Sequence, residues 1–162
     1  VKAAVSFKAK RIKETDIQQY AASPAEVFPL LCPVREYEWL YGWNCEMIYS
    51  ESGIAEEGCV FTTKFPGEEE ETVWVMTDKD LENHTVQYVR VTPGCRVVDL
   101  LISLENNSDG CTNAHITYTI TALSEIGNAF IDSQAGKEFT DLKNRMEKSM
   151  NHFLKTGRML KM

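Results

Sequence analysis

The chain has 162 residues, 43% apolar and 25% charged, with a formal net charge of −7. A chain of this length buries roughly 70% of its unfolded surface in one domain, and residues 1–162 read as a single unit without linker, repeat or low-complexity stretch. The acidic balance, with no basic stripe to offset it, argues against a nucleic-acid partner, and no apolar run is long enough to span a membrane.

Residues 5 to about 21 read as an extended segment, with β-branched, alternating positions such as Thr15 and Ile17. Val1 to Arg11 lacks the apolar core of a signal peptide, and a cytoplasmic location is expected. Ser23 then offers an N-cap oxygen, Pro24 occupies the first helical position, and Glu26 completes a capping-box pattern. Val27, Leu30 and Leu31 give this short helix, over 23–31, one apolar face. Pro33 ends it, and a second short helix is expected from Val34 to Leu40.

From Asn44 to Ala122 the chain reads as six strands. Turn chemistry separates them near Ser52-Gly53, Pro66-Gly67, Leu81-Glu82-Asn83, Pro93-Gly94 and Ser108-Asp109-Gly110. The connections are too short for crossover helices, so the sheet must be antiparallel, and the first strand makes seven. Alternation assigns the faces. Trp43, Cys45, Met47 and Tyr49 share an apolar face, as do Phe61, Thr63 and Phe65. Val98, Leu100, Ile102 and Leu104 point inward, and so do Ala114, Ile116, Tyr118 and Ile120, with Thr117, Thr119 and Thr121 toward water. Alternation leaves the fifth strand open: either Val86, Tyr88 and Arg90 face inward, or Gln87, Val89 and Val91 do. Glu68 to Glu71 read as a solvated turn beside a hairpin tip.

The last segment is an amphipathic helix. Phe139, Leu142, Met146, Met150 and Phe153 fall within an arc of roughly 80°, and Ala135 extends the stripe backwards. Lys137, Asp141, Lys143, Arg145, Glu147 and Lys148 cover the opposite side, with Asp141 and Arg145 spaced to pair. Gly157 is the C-terminal stop, and the stretch after Ser124 reads as a separate turn of helix. The fold class is therefore α+β: a seven-stranded curved antiparallel sheet gripping a long C-terminal helix, with two short helices after strand 1.

Five cysteines, at 32, 45, 59, 95 and 111, are odd in number and show no C-x-x-C spacing, so they read as small buried side chains in a reducing compartment. No metal or cofactor is expected. The patterns Asn83-His84-Thr85 and Asn106-Asn107-Ser108 match glycosylation acceptors by chance. The chain lacks G-x-S-x-G, P-loop, G-x-G-x-x-G and H-E-x-x-H motifs, and His84, His115 and His152 read as surface residues. Two polar groups stand out. Arg90 with Tyr88, if inward, would place a cation and a phenol where they orient a carboxylate or polarise a carbonyl. Glu36 and Glu38 lie beside Trp39, just before it in the chain; a buried carboxylate there can act as a base, and a solvated one is a surface charge. Asp99 falls on the outward face.

The order of elements resembles the START-like, or helix-grip, superfamily. That group holds birch-pollen-allergen-like proteins, the polyketide cyclase/dehydrase group and lipid-transfer domains. The resemblance rests on Ser23-Pro24-Ala25-Glu26-Val27-Phe28, on Trp39 and Trp43 after that helix, on Val89-Arg90-Val91-Thr92-Pro93-Gly94, and on Tyr118-Thr119-Ile120-Thr121-Ala122-Leu123. It covers nearly the whole chain and is nearest to bacterial polyketide-cyclase-like members. It implies a cavity between sheet and C-terminal helix, walled by Trp43, Met47, Phe61, Leu100, Tyr118, Phe139, Met146 and Met150, with Trp39, Tyr88 and Arg90 as further contacts. The plain alternative is that these residues fill a core. The implied activity is carriage or sensing of a small hydrophobic or amphipathic ligand, lipid included, by a monomer or weak dimer. A cyclase/dehydratase-like enzyme is the alternative, and a co-chaperone-like interaction module, which needs an exposed apolar patch, is the third.

Overall fold

The computed structural model describes residues 7–162; the part of the expected first strand at residues 5 and 6 lies outside them. Strand β1 (Arg11–Tyr20) is followed by helix α1 (Pro24–Val27), two short 3₁₀ segments, and strands β2 (Cys45–Tyr49), β3 (Val60–Thr63), β4 (Thr72–Asp80), β5 (Thr85–Thr92), β6 (Arg96–Asn106) and β7 (Thr112–Ala122). Helices α2 (Glu125–Ser133) and α3 (Ala135–Thr156) complete the chain. The strands form one curved antiparallel sheet in the order β1-β7-β6-β5-β4-β3-β2, so every consecutive pair from β2 to β7 is a hairpin and β1 closes on β7. The connections after β3, β4, β5 and β6 lie where the turn residues are, with left-handed glycines at Gly67, Gly94 and Gly110.

Several local expectations are refined. β1 starts at Arg11, and residues 7–10 are not strand. Ser23 does form the capping box: its hydroxyl accepts from the Glu26 N–H, and the Glu26 carboxylate accepts from the Ser23 N–H at 3.0 Å. The helix over 23–31 is not a continuous α-helix. Pro29 has no N–H to give the carbonyl four residues back, so the chain tightens into a 3₁₀ segment at Phe28–Leu31. Of the second expected helix only the 3₁₀ turn Glu36–Glu38 forms. Tyr49 is not on the inner face: a register shift between Met47 and Tyr49 turns it outward, and it is 56% exposed. All five cysteines are free, but only Cys59 is fully buried. Glu68 is not a free solvated charge, because its carboxylate sits 2.6 Å from the buried Arg96 guanidinium, which also stacks over Phe130.

α2 is a helix of its own, capped by Ser124. Gly127 is required there by space: a Cβ would collide with the Cys95 carbonyl and crowd Ala122. α3 carries the expected stripe, with Ala135 and Met150 buried, and ends at Gly157 with φ 68°. Its polar side is not all solvated. Lys143, Glu147 and Asn151, four residues apart, form a ladder against the edge strand β1. Lys143 pairs with Asp16 at 2.8 Å, Glu147 accepts from the Gln19 N–H at 2.9 Å, and Asn151 bonds both the Ala21 N–H and the Gln19 carbonyl. Arg145 donates to the Tyr41 carbonyl and forms no pair with Asp141. Backbone groups that an edge strand leaves open are thus satisfied by the helix. No helix of the described residues is long and apolar enough to cross a membrane.

Candidate functional site

The concave face of the sheet is set by side-chain alternation. Along β5, Val86, Tyr88, Arg90 and Thr92 are all under 9% exposed while Gln87, Val89 and Val91 are half-buried, which decides the face that alternation left open. β6 and β7 contribute Leu100, Ile102, Ile116 and Tyr118 to the same face, and β3 and β4 contribute Phe61 and Trp74. α3 lies across this surface but does not fill it. Between them remains a cavity of about 160 Å³, open on one side.

Eight of the eleven expected wall residues line this space: Trp43, Phe61, Tyr88, Arg90, Leu100, Tyr118, Phe139 and Met146. Three do not. Trp39 is completely buried behind the cavity, its indole N–H donating to the Leu30 carbonyl at 2.8 Å. Met150 is fully buried core, a turn beyond the cavity end of α3, and Met47 packs against the core from the edge of the sheet. The stripe on α3 is one surface that first lines a void and then seals against the sheet. Its period cannot mark where one use gives way to the other.

The walls are aromatic and mutually braced. Trp74 stacks on Phe61 with centroids 5.3 Å apart and meets Trp43 and Tyr88 edge to face, while Tyr118 meets Phe139 edge to face at 5.2 Å. The Trp43 N–H donates to the Pro33 carbonyl and the Trp74 N–H to the Thr63 hydroxyl, each at 2.8 Å. Both indoles therefore offer ring surface rather than free donors. Trp74 was not among the expected residues; its two-residue spacing from the buried Thr72 and Met76 was the available signal.

Three buried or half-buried polar groups line this apolar space without a hydrogen-bond partner among the described residues: the Arg90 guanidinium, the Tyr118 hydroxyl and the Glu36 carboxyl. The exposed Lys64 is a fourth such group at the wall, and the Asp16 carboxylate pairs with Lys143 through one oxygen while its other oxygen is buried and unbonded. Arg90 is 7% exposed and lies over the rings of Phe65 and Trp74, 5.0 Å from each centroid, and of Tyr118 at 5.6 Å. Burial lowers its pKa, yet a guanidinium starts so high that it stays charged. Burial raises the pKa of Tyr118, and the neighbouring Arg90 pulls it back. The Tyr88 hydroxyl, in contrast, donates to the Leu31 carbonyl at 3.3 Å. Glu36 sits on the 3₁₀ turn at the cavity wall, where burial pushes its carboxyl up to about 8. Glu38, two residues on, is solvent-exposed and paired with Arg35 at 2.9 Å. Asp16 and Gln18, on the inner face of β1, also line the cavity. A search for alternating apolar residues passes over them.

A second groove of about 220 Å³ lies among Phe28, Leu31, Ile54, Met76 and Val86. It is larger, but the charged groups at its wall are committed, Arg35 to Glu38 and Lys79 to the Ala55 carbonyl, which leaves the Cys32 thiol. Among the described residues no three His, Cys, Asp or Glu side chains gather as a metal site requires. The 160 Å³ cavity is thus the place where shape and chemistry coincide.

No protein-family model matches the chain, and no curated protein sequence matches it. Solved structures do. The Zhui aromatase/cyclase from Streptomyces sp. R1128 superposes with a TM-score of 0.68 at 10% identity, over 94% of this chain and all of that one. Norcoclaurine synthase from Thalictrum flavum, in complex with dopamine and hydroxybenzaldehyde, gives 0.62 at 11% identity over 91% and 95% of the two chains. Ara h 8.0201 gives 0.57 at 13% identity over 88% and 98%. The chain has the START-like, helix-grip fold.

Proposed function

We propose that this protein binds a small, ring-bearing amphipathic molecule in the cavity between the sheet and α3. One observation carries the reading: an open cavity of about 160 Å³ walled by braced aromatic rings, onto which the buried Arg90 and Tyr118 and the half-buried Glu36 open with no hydrogen-bond partner among the described residues. A cavity near 150 Å³ accepts a single aromatic ring, and the open side lets a longer molecule extend outward. The same fold in norcoclaurine synthase is found with dopamine and hydroxybenzaldehyde, both single-ring compounds. Native mass spectrometry of freshly purified protein tests for a carried molecule. Titration with flavonoids, neutral polyketide analogues and fatty acids, followed by emission of Trp43 and Trp74, tests binding directly. Absence of any carried species, together with unchanged emission throughout, would refute the reading.

Glu36 favours a second, catalytic reading on the same site, of the cyclase/dehydratase kind. A carboxyl with a pKa of about 8 exchanges protons near neutral pH. As carboxylate it would take a proton from a carbon next to a carbonyl, while Arg90 and Tyr118 stabilise the enolate oxygen. As acid it would return that proton to a departing hydroxyl, releasing water. Glu36→Gln would then abolish turnover of a linear poly-β-ketone mimic while leaving the binding of ring compounds intact; equal turnover in both proteins would dismiss catalysis.

A further inference from the structure

The two inward arginines of neighbouring strands make a contrast. Arg96 on β6 is satisfied in the ordinary way: its guanidinium meets the Glu68 carboxylate at 2.6 Å, the Cys95 sulfur at 3.3 Å and the Phe130 ring at 4.0 Å. Its role is structural. Arg90 on β5 is as inaccessible, at 7% exposure, and has no carboxylate or carbonyl within hydrogen-bond reach among the described residues. Aromatic rings lie over it, and Glu138 and Glu68 act on its charge only from beyond hydrogen-bond distance. None of its nitrogens is sealed off unpaired, so its donors open onto the cavity and the small adjoining pocket that Glu138 also lines.

A buried, unpaired cation is costly, and proteins rarely retain one without a counter-ion. Rings over a guanidinium engage its π-face and leave the N–H groups, which lie in the plane, free to donate. Two parallel in-plane donors match the two oxygens of a planar carboxylate. The cavity therefore presents, among the same lining residues, an apolar wall for a ring and a fork for an anion.

We infer that Arg90 is an anion anchor and that the ligand class is a ring-bearing carboxylate, seated with its ring among Trp74, Tyr118 and Phe139 and its carboxylate on the Arg90 fork. This rests on the binding function proposed above and narrows it from amphipathic molecules in general to acids. The alternative cations at the cavity wall are Lys64, Lys143 and Arg145. Lys143 is already paired with Asp16 and Arg145 is bonded to the Tyr41 carbonyl, and Lys64 is exposed, where water screens it.

The test is a matched pair of probes, 2-naphthoate and the isosteric neutral 2-naphthamide, titrated calorimetrically into the full chain at pH 7 and fixed ionic strength. The acid should bind at least tenfold tighter than the amide. In Arg90→Gln that preference should shrink to within threefold, by loss of acid binding, with amide affinity changed less than threefold. If Arg90→Gln does not fold, Arg90→Lys is measured instead; it keeps the charge without the planar fork, and acid affinity should fall at least threefold with the amide unchanged. Equal binding of acid and amide to the wild-type protein overturns the anchor and leaves the binding function standing. An acid preference that survives Arg90→Gln, or an acid affinity undiminished in Arg90→Lys, moves the anchor to another cation and overturns the assignment. If neither probe binds and the neutral panel also fails, the binding function itself is wrong and the anchor falls with it.

Discussion

Glu36→Gln should flatten the dependence of stability on pH. In the folded protein the Glu36 carboxyl is raised by burial from 4.5 to about 8. Between those values the folded state holds a proton that the unfolded chain has released. The stabilising contribution is therefore complete below about 4.5 and is lost as pH rises through about 8. At about 1.4 kcal/mol for each tenfold, the whole displacement is worth up to roughly 5 kcal/mol. Glu36 is only half-buried and faces an open cavity, so water at the mouth reduces the expected loss to about 2–3 kcal/mol. Urea unfolding of both proteins from about pH 5 to about pH 9 isolates the effect, because titrating groups that do not feel the Glu36 charge cancel in the difference. Cys45, Tyr20, Tyr88 and Tyr118 are the groups that feel the Glu36 charge, and burial raises all four above their ordinary values, so in the folded protein they stay protonated over this range and add little to the difference. The variant should gain about 2–3 kcal/mol relative to wild type across that range. Parallel pH curves would mean that the carboxyl is solvated and that its place at the cavity wall does not shift its ionisation.

Other consequences are direct. Gly127→Ala should lower stability by about 3 kcal/mol in chemical denaturation despite the better helix propensity of alanine, since the added methyl meets the Cys95 carbonyl; a neutral or stabilising result would show that α2 can slide off the sheet. Met150→Asp should lower the melting temperature by roughly 10 °C, because Met150 is completely buried, whereas Lys148→Asp on the exposed face should change it by under about 2 °C. Equal shifts would mean that α3 is wrongly phased. Glu68→Gln should cost about 2–3 kcal/mol by leaving the buried Arg96 without its counter-ion, while Glu70→Gln in the same acidic run should cost under about 0.5 kcal/mol; a Glu68→Gln melting curve matching that of Glu70→Gln would remove Glu68 from any structural role.

What could be read along the chain is what is settled locally. The Ser23–Glu26 capping box, the turns at Gly67, Gly94 and Gly110, the stop at Gly157 and the two-residue alternation of β6 and β7 each depend on residues a few positions apart. Short connections then force antiparallel hairpins, and one amphipathic helix is left to cover the concave face. The overall architecture follows from these local choices because no long-range decision is needed to assemble a meander.

Tertiary structure decided the rest, where the determining partner is distant in sequence. Both faces of β5 carry apolar residues, so alternation alone could not say that Arg90 points inward; the face was chosen by register with β4 and β6, which sets Arg90 opposite Trp74 and Val98. Lys143 and Glu147 read as solvated charges until the edge strand β1 is brought beside them. The same stripe on α3 lines a void at Phe139 and Met146 and is sealed at Met150, depending on how far the sheet stands from the helix. Whether Glu36 is a surface charge or a perturbed acid depended on whether the 3₁₀ turn that carries it closes one wall of that void. A side chain's type is written in the sequence, but its ionisation and its partners depend on how much water and which charges the fold leaves around it.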